Sequence, residues 1–146
     1  MRKLMLAAVG AALLGMASPA LAQEMPLVGG DYWDVTAVTI DDGRFGDYAD
    51  FLAAGFRKES EYAKSKGWIK GYYILSNVNP RKDEPDLYLV RITDHVPTPA
   101  EETERNKEVT AYLQTTDRQM MAESGARAKF RHVAGSMLLQ AMVWAH

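Results

Sequence analysis

The feature that most constrains the fold of this chain is its hydrophobic period, which switches between strand and helix four times. Tyr32 to Ile40 is rich in aromatic and β-branched residues and reads as a strand, closed by the turn Asp41-Asp42-Gly43. Over 45–66 the period becomes helical. Tyr48, Phe51, Leu52, Phe56 and Tyr62 fall on one face, and Gly55 on that face predicts a close approach to a sheet. Gly67 is placed to stop the helix. Trp68 to Val78 and Leu87 to His95 read as two strands of a hairpin, joined by a polar loop from Asn79-Pro80 to Pro85. Thr98-Pro99-Ala100-Glu101 spells a helix start, with Thr98 as N-cap and Glu101 completing a capping box. That helix is expected to run to about Ser124, with Val109, Tyr112, Leu113, Thr116, Met120 and Met121 inward and Gly125 interrupting it. A basic turn or short helix over 126–134 then leads to a last strand, Ser136 to Trp144.

The order βαββαβ predicts an α+β, ferredoxin-like domain: a four-stranded antiparallel sheet with both helices on one face. Alternation within the strands sorts the side chains into two sets. One set, including Trp33, Val35, Tyr73, Val90, Ile92 and Leu139, is almost wholly apolar and is assigned to the helix-covered core. The other is mixed. It carries Val38, Leu89 and Leu138 beside Asp34, Lys70, Tyr72, Arg91, His95 and Gln140. So many aliphatic groups would form a large exposed patch, so this face is expected to be covered by a second copy.

In element order and face pattern, residues 31–145 resemble the dimeric α/β-barrel superfamily, in which two ferredoxin-like protomers pair sheet to sheet with helices outside. The resemblance implies a homodimer. It leaves the activity open, because that group includes small monooxygenases, haem-degrading enzymes, isomerase-like enzymes and domains without assigned chemistry. The histidine, asparagine and tryptophan pattern of the haem-degrading members has no counterpart here.

The N-terminus sets the compartment. Arg2 and Lys3 precede an uncharged apolar run, Leu4 to Met16, followed by Ser18-Pro19 and the small-x-small site Ala20-Leu21-Ala22. Residues 1–22 are expected to be a signal peptide cleaved after Ala22, giving a periplasmic or secreted protein with no membrane anchor after cleavage. Removing 22 of 146 residues leaves 124, enough for one core. Residues 23–30 read as a flexible leader and 31–146 as a single domain. The formal charge of −2 becomes about −4 once Arg2 and Lys3 are gone, which argues against nucleic acid as a partner. The chain has no cysteine, which excludes disulfides and thiolate sites.

All three tryptophans, Trp33, Trp68 and Trp144, fall with His95 toward one predicted end of the sheet. An aromatic-walled pocket with His95 at its rim is one reading, and tryptophans capping an apolar sheet end is the other. The candidate catalytic residues are His95, as acid or base, with Tyr72, Arg91 and Asp34. Trp68, Trp144, Gln140 and Lys70 are the candidate ligand-binding residues. A polar network across a dimer interface would use the same side chains, with Asp34 and Arg91 paired across neighbouring strands. The basic cluster Arg127, Lys129, Arg131 and His132 could bind an anion or form a solvated face. No histidine stands at metal-ligand spacing with carboxylates, no nucleotide or hydrolase motif is present, and neither metal nor cofactor is expected. Three functions follow: a homodimer binding an apolar or aromatic small ligand, a cofactor-free oxygenase or isomerase-like enzyme, and a purely structural dimer domain.

Overall fold

The computed structural model describes residues 25–145. The expected signal peptide, its expected cleavage site and the first two residues of the expected leader lie outside the described residues. Strands β1 (Leu27–Ile40), β2 (Gly71–Ser76), β3 (Leu87–Thr93) and β4 (Arg131–Trp144) form one antiparallel sheet in the order β2-β3-β1-β4. This architecture is α+β and is compatible with the ferredoxin-like arrangement. β1 begins at Leu27 rather than Tyr32, because Leu27, Val28 and Gly29 pair with Trp144, Val143 and Met142. Part of the expected leader is therefore sheet. β4 likewise starts at Arg131, within the expected basic turn.

The first helical segment consists of α1 (Phe45–Phe51), a π-helical turn (Leu52–Phe56) and α2 (Arg57–Ser65). Gly55 sits in the π turn, but the sheet is not what it makes room for. A Cβ there would lie 2.8 Å from the Phe51 ring. The Phe51 ring in turn lies 3.7 Å from the Arg127 guanidinium. Gly67 ends α2 at φ +73°, as its position predicts.

Helix α3 (Pro99–Leu113) opens with the expected capping box. It stops eleven residues earlier than expected. Gln114 takes a left-handed conformation (φ 54°), and Thr116 caps a separate helix, α4 (Asp117–Arg127), by accepting from the Gln119 amide. Gly125 does not break the helix but lies within α4. The overlooked signal is Thr116-x-x-Gln119, a second capping pattern in the middle of an apparently continuous helix.

The core lies between the sheet and the segment 45–65. Val38, Leu87, Tyr48, Leu52 and Phe56 are its buried members, with Tyr72 and Leu89 packed against them. This reverses the expected assignment of faces. Val38, Leu87, Leu89, Tyr72, Arg91 and Asp34 share one side by register, and that mixed side is the helix-covered one. Two of its polar groups are engaged from the helix: Arg91 Nη2 pairs with Glu59 at 3.0 Å, its buried Nε having no partner, and the Tyr72 hydroxyl donates to Glu61 at 2.6 Å.

The wholly apolar set lies on the side without helices. Across it the register aligns Met137, Val35, Val90 and Tyr73, and, one pair along, Leu139, Trp33 and Ile92. Trp33 stacks on Tyr73 with ring centroids 6.2 Å apart. Val35 and Val90 are buried at the middle of this face, whereas Tyr73, Leu75, Met137, Leu139 and Val143 are exposed. A sheet has two faces to cover, and apolarity alone does not say which one the chain's own helices will take.

Candidate functional site

A cavity of about 600 Å³ opens on the helix side, where the sheet meets α2, α3 and α4. Its apolar wall includes Trp68, Ile69, Val96, Val109, Met120 and Leu138, and its polar groups include Asp34, Glu59, Arg91, Glu102 and Arg105. The cavity exists because α3 and α4 stand off the sheet. Neither helix has a buried residue.

Local chemistry positions Trp68. The left-handed Gly67 turns the chain out of α2, and the Trp68 amide donates to the Ala63 carbonyl at 3.0 Å. The indole packs edge-on against Tyr62 (5.6 Å), which stacks on Tyr112 of α3 at 4.1 Å. These three aromatic rings join α2 to α3. Arg105 lies over the indole, its guanidinium carbon 5.6 Å from the ring centroid.

Asp34 and Arg91, two of the four candidate catalytic residues, line this cavity, as does Trp68. They do not form the expected ion pair with each other, because Arg91 reaches Glu59 instead. Tyr72 is engaged by Glu61, whose carboxylate raises the phenol above its usual pKa, and it packs edge-on against Phe56.

His95 lies in the turn after β3. When protonated it donates from Nδ1 to Asp94 (2.5 Å) and from Nε2 to Glu101 Oε1 (3.1 Å). These carboxylates raise its pKa above the ordinary 6.5, Asp94 contributing most. Glu101 also accepts from the Thr98 amide at 2.7 Å and the Thr98 hydroxyl at 2.8 Å. The bonds from Thr98, and then from His95, bring its pKa down to about 2. His95 thus braces the capping box of α3 and is not among the residues lining the cavity.

The remaining ligand-binding candidates lie elsewhere. Lys70 pairs with Asp31 at 2.5 Å. Gln140 donates to the Gly30 carbonyl at 3.2 Å. Trp144 is exposed at the end of β4, opposite Leu27. Trp33 is on the uncovered face, so the three tryptophans do not converge on one pocket. In the basic cluster, Arg127 stacks on Phe51, Arg131 donates to the Ser124 hydroxyl at 3.2 Å, and His132 meets Asp41 at 2.9 Å.

Sequence reasoning did not single out Arg105, and it read Val109 and Met120 as inward-facing helix residues without placing them at a site. The signal for Arg105 was present: it follows Glu101 by one helical turn, next to an acidic helix start.

Among the described residues, no group of three or more histidine and carboxylate side chains is placed to hold a metal ion, and no helix is long and apolar enough to cross a membrane. Comparison with protein-family models, curated proteins and solved structures finds no match for this chain.

Proposed function

We propose that this protein is an exported, homodimeric binding domain that holds a small apolar or aromatic molecule in the cavity between its sheet and helices. The observation that carries this reading is the cavity itself, walled largely by aliphatic side chains and Trp68 and open to solvent on the helix side. The enzyme reading draws no support from His95, whose ring nitrogens are both taken up, by Asp94 and Glu101.

The homodimer follows from the uncovered sheet face. Four strands about 4.8 Å apart and seven residues at about 3.3 Å span roughly 19 by 23 Å. The longer β1 and β4 extend that area toward the roughly 800 Å² per partner that stable interfaces bury. A second sheet is the occupant that fits a broad, apolar face of this kind, as in a dimeric α/β barrel.

Two measurements test the reading. Leu139→Lys places a charge on the uncovered face and is expected to halve the mass seen by light scattering while leaving the fold intact. A wild-type protomer that stays monomeric at millimolar concentration overturns the dimer. For the cavity, 2-naphthalenemethanol is expected to bind once per protomer by calorimetry, and Val109→Trp to abolish that binding. Equal binding to Val109→Trp overturns the assignment of the cavity.

A further inference from the structure

The cavity is not simply greasy, and its polar groups differ in how well they are balanced. Asp34 and Glu102 are exposed and remain hydrated. The two guanidinium groups are more enclosed, with side chains 32% exposed for Arg91 and 20% for Arg105. Arg91 is neutralised by Glu59 at 3.0 Å. Arg105 is not neutralised in the same way. Its carboxylate, Glu101 Oε1, stands 3.7 Å away, outside hydrogen-bond reach, and already accepts from His95 at 3.1 Å. The other Glu101 oxygen is taken by the Thr98 amide and hydroxyl. Arg105 therefore carries a half-buried positive charge whose nearest counter-charge is committed to capping α3. Its guanidinium carbon lies 5.6 Å from the Trp68 ring centroid, within cation–π range, which favours the charge at this position.

Resting on the cavity reading above, we infer that the ligand is a small organic carboxylic acid, bound as its anion. Its carboxylate sits on Arg105, and its apolar or aromatic body lies along Trp68, Val109, Met120 and Leu138. A planar guanidinium accepts a carboxylate through two parallel hydrogen bonds, the strongest pairing open to it. The aliphatic wall begins on the same helix, because Val109 follows Arg105 by one turn of α3. A ligand of this class is anchored at one end by charge and along its length by removal of apolar surface from water.

The test is calorimetry on the mature chain with three probes of one shape: 2-naphthoate, 2-naphthalenemethanol and 2-naphthylmethylammonium. Naphthoate is expected to bind at least tenfold more tightly than the alcohol. Arg105→Gln is expected to remove that preference by weakening naphthoate binding at least tenfold more than alcohol binding, and Arg105→Lys to restore part of it. Alcohol binding equal to or tighter than naphthoate, or an unchanged naphthoate affinity in Arg105→Gln, overturns the carboxylate inference and leaves the cavity reading standing. Tightest binding of the ammonium also overturns it, in favour of Asp34 and Glu102. If none of the three binds at millimolar concentration, the cavity reading fails first and the inference fails with it.

Discussion

Around β1, β3 and the segment 45–65, the domain is packed as a folded core should be. Tyr48 and Val38 are 1% exposed, and Leu52, Phe56 and Leu87 complete the cluster. Around β4, α3 and α4 it is not: neither helix buries a residue, and Met137, Leu138, Leu139 and Met142 of β4 are all exposed. One half of the domain is held together by its own side chains. The other holds its backbone by the β1–β4 ladder and by helix caps, and leaves apolar groups facing a cavity on one side and an uncovered sheet face on the other. A chain rarely leaves so much apolar surface bare unless something else covers it. The loosely packed half is therefore where a ligand and a second copy are expected.

The sharpest way to break this comparison is to truncate one residue in each half. Phe56→Ala removes a buried ring that packs on Tyr72 and Arg91, and is expected to cost about 3–5 kcal/mol in urea unfolding. Met121→Ala on α4, where the side chain is 75% exposed, is expected to change stability by less than about 0.5 kcal/mol. Equal losses at the two positions would show that α4 is packed as tightly as the segment 45–65.

Caps should matter more than side-chain packing in the loose half. Thr116→Ala deletes the acceptor for the Gln119 amide and is expected to cost about 1 kcal/mol, more than any exposed apolar truncation in α4. Hydrogen exchange of the α4 amides should quicken in this variant while those of β3 stay protected.

The smallest expected effect is the pH dependence of the α3 cap. The pKa of His95 is raised in the folded state, so its stabilisation is fully present below about pH 6.5 and is lost as pH rises through the folded value. The pKa of Glu101 is lowered from 4.5 to about 2, so its contribution is present above pH 4.5 and is lost as pH falls toward 2. The advantage of wild type over His95→Gln in melting temperature should therefore peak between about pH 4.5 and 6.5 and vanish in alkali. An advantage that grows with pH would mean that His95 acts as a neutral ring.

Much of the architecture was legible from local pattern. Thr98-Pro99-Ala100-Glu101 started α3 where its capping chemistry required, Gly67 ended α2, and the alternation of strands was read with the correct parity. What failed was non-local. Thr116 and Gln119 cap a new helix only because Gln114 accepts a left-handed turn, which a run of helix-compatible residues does not reveal. Arg91 was matched with Asp34 because they face each other across two strands, yet Glu59 reaches it from the helix above. His95 resembled a catalytic group because histidine titrates near neutrality, and the structure instead places it between two carboxylates at a helix cap.

The amino-acid sequence by itself determined the order of the strands and helical segments, the two sets of side chains on the sheet and the starts of α1 and α3, because these depend on hydrophobic period and on groups a few residues apart. Only the tertiary structure decided which set lies under the helices, that α3 and α4 stand far enough from the sheet to leave a cavity, and that Arg105 lies in it with its carboxylate already engaged. The physical reason is that burial belongs to the packing of whole elements. An almost wholly apolar face and a mixed one compete for one layer of helices, and the outcome depends on which partners the helices bring: here Glu59 for Arg91 and Glu61 for Tyr72.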